Sequence, residues 1–91
     1  MNILIVGAGT MGCGIAQVFA SAGHAVVICD INRSLAQKGI DKIASALDKQ
    51  VQKGKLAAED GAAMISRIRA GELPDAVDSD LVIEAAIEQL E

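Results

Sequence analysis

Residues 3–19, ILIVGAGTMGCGIAQVF, decide the fold of this chain. Ile3 to Val6 is a run of branched apolar residues, Gly7, Gly9 and Gly12 break it, and small and apolar residues resume from Cys13. A short continuous apolar run ended by glycine is the pattern of a strand covered on both faces in a parallel sheet, here Asn2 to Val6. From Gly12 the spacing changes to Ile15, Val18, Phe19 and Ala22, one face of a helix that Gly23 would end. Ala25 to Cys29 is a second buried strand, stopped by Asp30. Strand, glycine turn, helix and strand within thirty residues make a βαβ unit, whose crossover is right-handed.

The remainder extends this α/β pattern. Asn32 is placed as the N-cap of a long helix, Arg33 to Lys53, in which Ala36, Ile40, Ile43, Leu47 and Val51 recur at helical spacing and Gly54 supplies the end. At 1.5 Å per residue such a helix would be roughly 30 Å long, more than a crossover needs, so part of it should project. Met64, Ile65 and Ile68 give the apolar face of another helix, Ala57 to Arg69, folding back on the first as a hairpin. A short strand at Ile68 to Ala70 is an alternative reading of its end. Gly71, Pro74 and Asp75 mark a loop, and Leu81 to Ala85 reads as a further buried strand.

Composition restricts the function. The chain has 91 residues, just over half hydrophobic, with one Phe and no Tyr or Trp, so the core must be built from aliphatic residues. A net charge of −4 gives no general attraction to nucleic acid or to an anionic membrane. The charge is uneven: residues 31–55 hold six Lys or Arg against two Asp, while residues 56–91 hold two Arg against nine acids. Cys13 and Cys29, without a second pair or a neighbouring histidine, read as buried free thiols suited to a reducing cytoplasm. No signal-peptide pattern opens the sequence and no apolar stretch is long enough to span a bilayer.

Gly7, Gly9 and Gly12 form G-x-G-x-x-G, and the chain sets it directly after a strand, at the start of a helix, with Asp30 eighteen residues on at the end of the next strand. Each glycine has its own physical reason. Gly7 permits the tight turn, Gly9 leaves room for a pyrophosphate, and Gly12 allows close packing of helix on strand. The free N–H groups and positive dipole end of the helix would face the phosphates, and Asp30 would accept hydrogen bonds from the adenosine ribose hydroxyls. A carboxylate there opposes the additional phosphate of NADP, although Arg33 nearby leaves NADP open. The alternative is a purely structural turn, with Asp30 capping the strand.

With IVGAGTMGCGIAQVFASAGHAVVICDIN, LDKQVQKGK and DLVIEAAIEQLE read together, the chain resembles the N-terminal NAD-binding domain of the bacterial 3-hydroxyacyl-CoA dehydrogenases, the 3-hydroxybutyryl-CoA type in particular, over all its residues. The resemblance implies a Rossmann-type parallel sheet with a protruding helical arm at about 33–69, followed by a C-terminal catalytic and dimerisation part that residues 1–91 do not include. It implies NAD as cofactor, a short-chain acyl-CoA as substrate, and a cytoplasmic homodimer. Gly7, Ala8, Gly9, Thr10, Met11 and Gly12 would hold the pyrophosphate, Asp30 the ribose, and Glu88 the nicotinamide side. The family's catalytic histidine falls beyond Glu91, so this stretch alone is expected to be inactive; His24, the single histidine, is expected in a turn away from the glycines.

Lys38, Lys42, Lys49 and Lys53, spaced by four, seven and four, form one stripe of the long helix. A solvated face explains it without function, whereas the resemblance implies that Lys53 contacts the adenosine phosphate end of coenzyme A. The family's companion serine falls on Ala46 here, with Ser45 beside it. Two other readings stay open: a non-catalytic NAD-sensing module, and a β-hydroxyacid dehydrogenase or flavin enzyme of another kind, which would leave the KGK arm without a purpose.

Overall fold

The computed structural model describes residues 1–71 and 79–85; Pro74, Asp75 and Glu88, which the sequence reading singles out, lie outside them. Among the described residues four strands form one parallel sheet in the order β3-β2-β1-β4, made of β1 (Asn2–Val6), β2 (Ala25–Cys29), β3 (Ile68–Ala70) and β4 (Leu81–Glu84). Three helices connect them: α1 (Thr10–Ser21), α2 (Arg33–Gln52) and α3 (Ala58–Ser66). Ile3, Ile5, Val26, Ile28, Ile68 and Ala70 alternate along their strands onto the face that these helices cover and join Ala16, Ala36, Ile40, Ile43 and Leu47 in one core. Leu4 and Cys29 fall on the alternate positions and are buried as well, which is why β1 and the end of β2 read as unbroken apolar runs.

The helix ends follow from local chemistry. Asn32 accepts a hydrogen bond from the Leu35 N–H at 2.9 Å and so caps α2 as expected. At the other end Gly54 takes φ 74°, with its N–H on the Val51 carbonyl and the Lys55 N–H on that of Gln50. The same pair of bonds closes α1 through Gly23 (φ 96°), from Gly23 to Ala20 and from His24 to Phe19. Both are the left-handed glycine stops the sequence places there. Past Leu47 only Val51 of α2 stays half-buried, against Gly61 of α3, and the rest of its last turn is exposed.

Three expectations need correction. The buried face of α1 is Gly12, Cys13, Ala16 and Ala20, with Ile15 and Phe19 half-buried beside it, while Val18 is 66% exposed and Ala22 is exposed. A helix drawn close to its strand by a glycine contact leaves room only for small side chains, so the larger residues move to the flanks. The second helix of the hairpin stops at Ser66, because Ile68 to Ala70 pair with Val26 to Ile28 and become β3, the alternative reading of its end. And β4 is outermost among the described strands, with Leu81 and Val82 39% and 48% exposed and only Ala85 after it buried, where a buried strand was expected.

Candidate dinucleotide-binding site

The strands and helices bring Gly7 to Gly12 and Asp30 together at the C-terminal edge of the two central strands. The β1–β2 register ends on Val6 opposite Cys29, and the Gly7 N–H then donates to the Cys29 carbonyl at 2.8 Å. Gly7 turns the chain with φ 115°, a conformation that a side chain opposes. Gly9, the residue before α1, has φ −75° and ψ −168°, and no side chain caps the helix. Its first turn carries no acidic residue either. The N–H groups that begin any helix lack internal acceptors, so this start offers donors and a positive dipole end to an anion.

Close packing fixes the turn from below. A Cβ built on Gly12 would lie 2.0 Å from the Gly7 carbonyl oxygen, so helix and turn touch backbone to backbone. The Cys13 thiol donates to the Ala8 carbonyl at 3.3 Å and lies 3.5 Å from that of Gly39 in α2. Burial pushes this thiol above its ordinary pKa, against an opposing pull from the Lys42 ammonium, so it stays a protonated donor. Both cysteines are buried.

Asp30 sits at the end of β2, half-buried, with Oδ2 accepting from the Ala8 N–H and Oδ1 from the Ile31 N–H, each at 2.7 Å. It thus meets the turn directly, a contact that no spacing in the sequence announces. Arg33 directs a guanidinium N–H to the Ala70 carbonyl at 3.3 Å, at the end of β3. His24 lies at the opposite edge of the sheet, its Nδ1 3.3 Å from the N-terminal amine, far from any chemistry at the turn. Lys38, Lys42, Lys49 and Lys53 are all exposed, and Lys42 lines a groove of about 330 Å³ with Gly9, Thr10, Gly14 and Gln17. The sequence placed Lys42 on the stripe; only the packing of α2 beside α1 puts it next to the turn. Among the described residues no group of three His, Cys, Asp or Glu could hold a metal ion, and no helix is long and apolar enough to cross a membrane.

A parallel sheet with a βαβ unit, a glycine turn running into an uncapped helix, and an acid closing the next strand define a Rossmann-type dinucleotide-binding domain. The sequence profile of the 3-hydroxyacyl-CoA dehydrogenase NAD-binding domain matches residues 2–91, and the chain belongs to that family. It is 42% identical over 91 residues to the 3-hydroxyadipyl-CoA dehydrogenase of Escherichia coli K12, covering 99% of this chain and 19% of that protein. The crystal structure of 3-hydroxybutyryl-CoA dehydrogenase from Escherichia coli K12 superposes with a TM-score of 0.88 at 38% identity, over 92% of this chain and 18% of the other. That of (S)-3-hydroxybutyryl-CoA dehydrogenase from Ralstonia eutropha gives 0.84 at 45% identity, over 92% and 30%. The chain therefore spans between about a fifth and a third of the length of such relatives.

Proposed function

We propose that this chain is the cofactor-binding part of a dehydrogenase acting on a short-chain 3-hydroxyacyl-CoA, with NAD held by the turn from Gly7 to Gly12 and by Asp30. Bound there, NAD supplies a hydride acceptor for the substrate C3–H. The chain's own contribution is to bind and orient: N–H groups at the start of α1 take the pyrophosphate, and the Asp30 carboxylate takes the ribose hydroxyls. Glu88 is assigned to the nicotinamide side by resemblance alone. Action as a homodimer in the cytoplasm belongs to the same proposal.

The observation that carries the reading is the conformation of Gly9. Its φ and ψ are open to any residue, so the chain's own backbone gives no reason for glycine there. An approaching ligand does. The test is a calorimetric titration with NADH and NADPH. Because a carboxylate repels the additional phosphate, NADH should bind more tightly by about tenfold or more, about 1.4 kcal/mol. Equal affinities would remove Asp30 from the ribose.

Lys53, the residue that caps the end of α2, is assigned to the adenosine phosphate end of coenzyme A. A lysine against a phosphate makes a charge-assisted contact that added salt weakens, whereas a solvated lysine contributes almost nothing. Lys53→Ala should therefore lower the affinity for coenzyme A by about threefold to tenfold at low salt, and leave that for 3′-dephospho-coenzyme A and NADH unchanged. Unaltered coenzyme A binding would return the lysine stripe to a solvated face.

A further inference from the structure

Asp30 does more in this structure than end a strand. Its bond to the Ala8 N–H joins residues 22 apart and follows directly on the rung from the Gly7 N–H to the Cys29 carbonyl. The side chain thus continues the β1–β2 ladder by one step past the last backbone pair. That step falls on the residue between the first two glycines.

Ala8 is held on its other sides as well. Its carbonyl receives the Cys13 thiol, and its Cβ lies 3.0 Å from where a Cβ on Gly39 would stand. A residue fixed at N–H, C=O and side chain has little freedom to rotate, and its backbone sets the direction in which Gly9 and the first N–H groups of α1 point. Of the three restraints the bond to the carboxylate is the strongest, being charge-assisted and short. Each carboxylate oxygen offers two acceptor sites, so an oxygen already taking one N–H keeps a site for a ribose hydroxyl.

We propose that Asp30 is a positioning residue for the phosphate-binding turn, acting through Ala8, in addition to receiving the ribose. The proposal rests on the reading of the turn as an NAD site. It requires that loss of the carboxylate weakens binding of the phosphates even when the ribose has no hydroxyls to offer.

The probe is an NADH analogue with a 2′,3′-dideoxyadenosine moiety, titrated beside NADH against the wild type, Asp30→Ala and Ile68→Val. Ile68→Val is a core change at the start of β3, away from the turn, that lowers stability without altering the site. Asp30→Ala should bind the analogue about tenfold or more weakly than the wild type, and Ile68→Val about equally to it. Equal affinity of the wild type and Asp30→Ala for the analogue would leave the carboxylate with the ribose alone and overturn the proposal. A wild type that binds neither ligand overturns the cofactor reading first, and this proposal with it.

Should Asp30→Ala fail to fold, residue-resolved amide exchange on the ligand-free wild type decides the matter. The Ala8 N–H should exchange about tenfold or more slowly than the Thr10 N–H at the open helix start. Equal exchange would mean that the carboxylate does not hold the turn in solution, and the proposal falls.

Discussion

Gly12→Ala is expected to lower the melting temperature by roughly 15 °C and to remove most of the affinity for NADH, whereas Gly14→Ala, two residues on, keeps both. The two glycines lie side by side in TMGCGIA, and only Gly12 belongs to G-x-G-x-x-G. The structure separates them: a Cβ at Gly12 would meet the Gly7 carbonyl oxygen at 2.0 Å and its carbon at 3.1 Å, while one at Gly14 meets nothing within 4 Å. The Gly7 peptide cannot yield, since its N–H is tied to Cys29 and its φ is already 115°. Relief must come from lifting α1 off the turn, which opens the contacts of Cys13, Ala16 and Ala20 and tilts its first N–H groups away from the proposed phosphate position. Forcing atoms into a packed contact costs about 3 kcal/mol. For a domain of this size each kcal/mol is worth about 4–8 °C in Tm. Gly14→Ala instead gains about 0.5–1 kcal/mol from helix propensity. Thermal unfolding and NADH titration of the two variants check this, and a Gly12→Ala protein melting within about 5 °C of wild type would mean that helix and turn are not locked together.

What the sequence conveyed and what it withheld divide along a physical line. Strands β1 and β2 were legible because a strand buried on both faces must be apolar throughout. The limits of α2 were legible because Asn32 and Gly54 do local chemistry that spacing alone reveals. The buried face of α1 was not, since the 3.6-residue period was read from the largest apolar residues, and this helix buries its smallest. Strand β3 has only three residues, too few to show alternation, and exists because β2 offers it an edge. Gly39 carries a signal in the sequence: a glycine inside a helix costs about 1 kcal/mol against alanine, and here Ala8 and Cys13 crowd the space a side chain would fill. The bond from Ala8 to Asp30 has no sequence signature at all, because it depends on where two strands end relative to one another.

The three glycines of the turn sort into three causes, and the second of them gives the sharpest test of function. Gly7 is required by its φ of 115° and Gly12 by the approach of helix to turn. Gly9, half-exposed at φ −75° and ψ −168°, is not required by its backbone conformation, for valine accepts that extended conformation readily. As an N-cap, valine is worse than glycine by less than about 1 kcal/mol, so Gly9→Val should melt within roughly 5 °C of wild type. On the proposed reading its branched side chain would stand where the uncapped helix start receives a pyrophosphate, and NADH affinity should fall by about 100-fold or more, about 2.7 kcal/mol. Gly9→Ala, with one methyl group, should fall between. The contrast with Gly12→Ala is the point of the experiment: on the proposed reading Gly12→Ala loses stability together with NADH affinity, whereas Gly9→Val loses affinity alone. If Gly9→Val bound NADH within about threefold of wild type, no phosphate would lie against this residue and the cofactor reading would lose the observation that carries it.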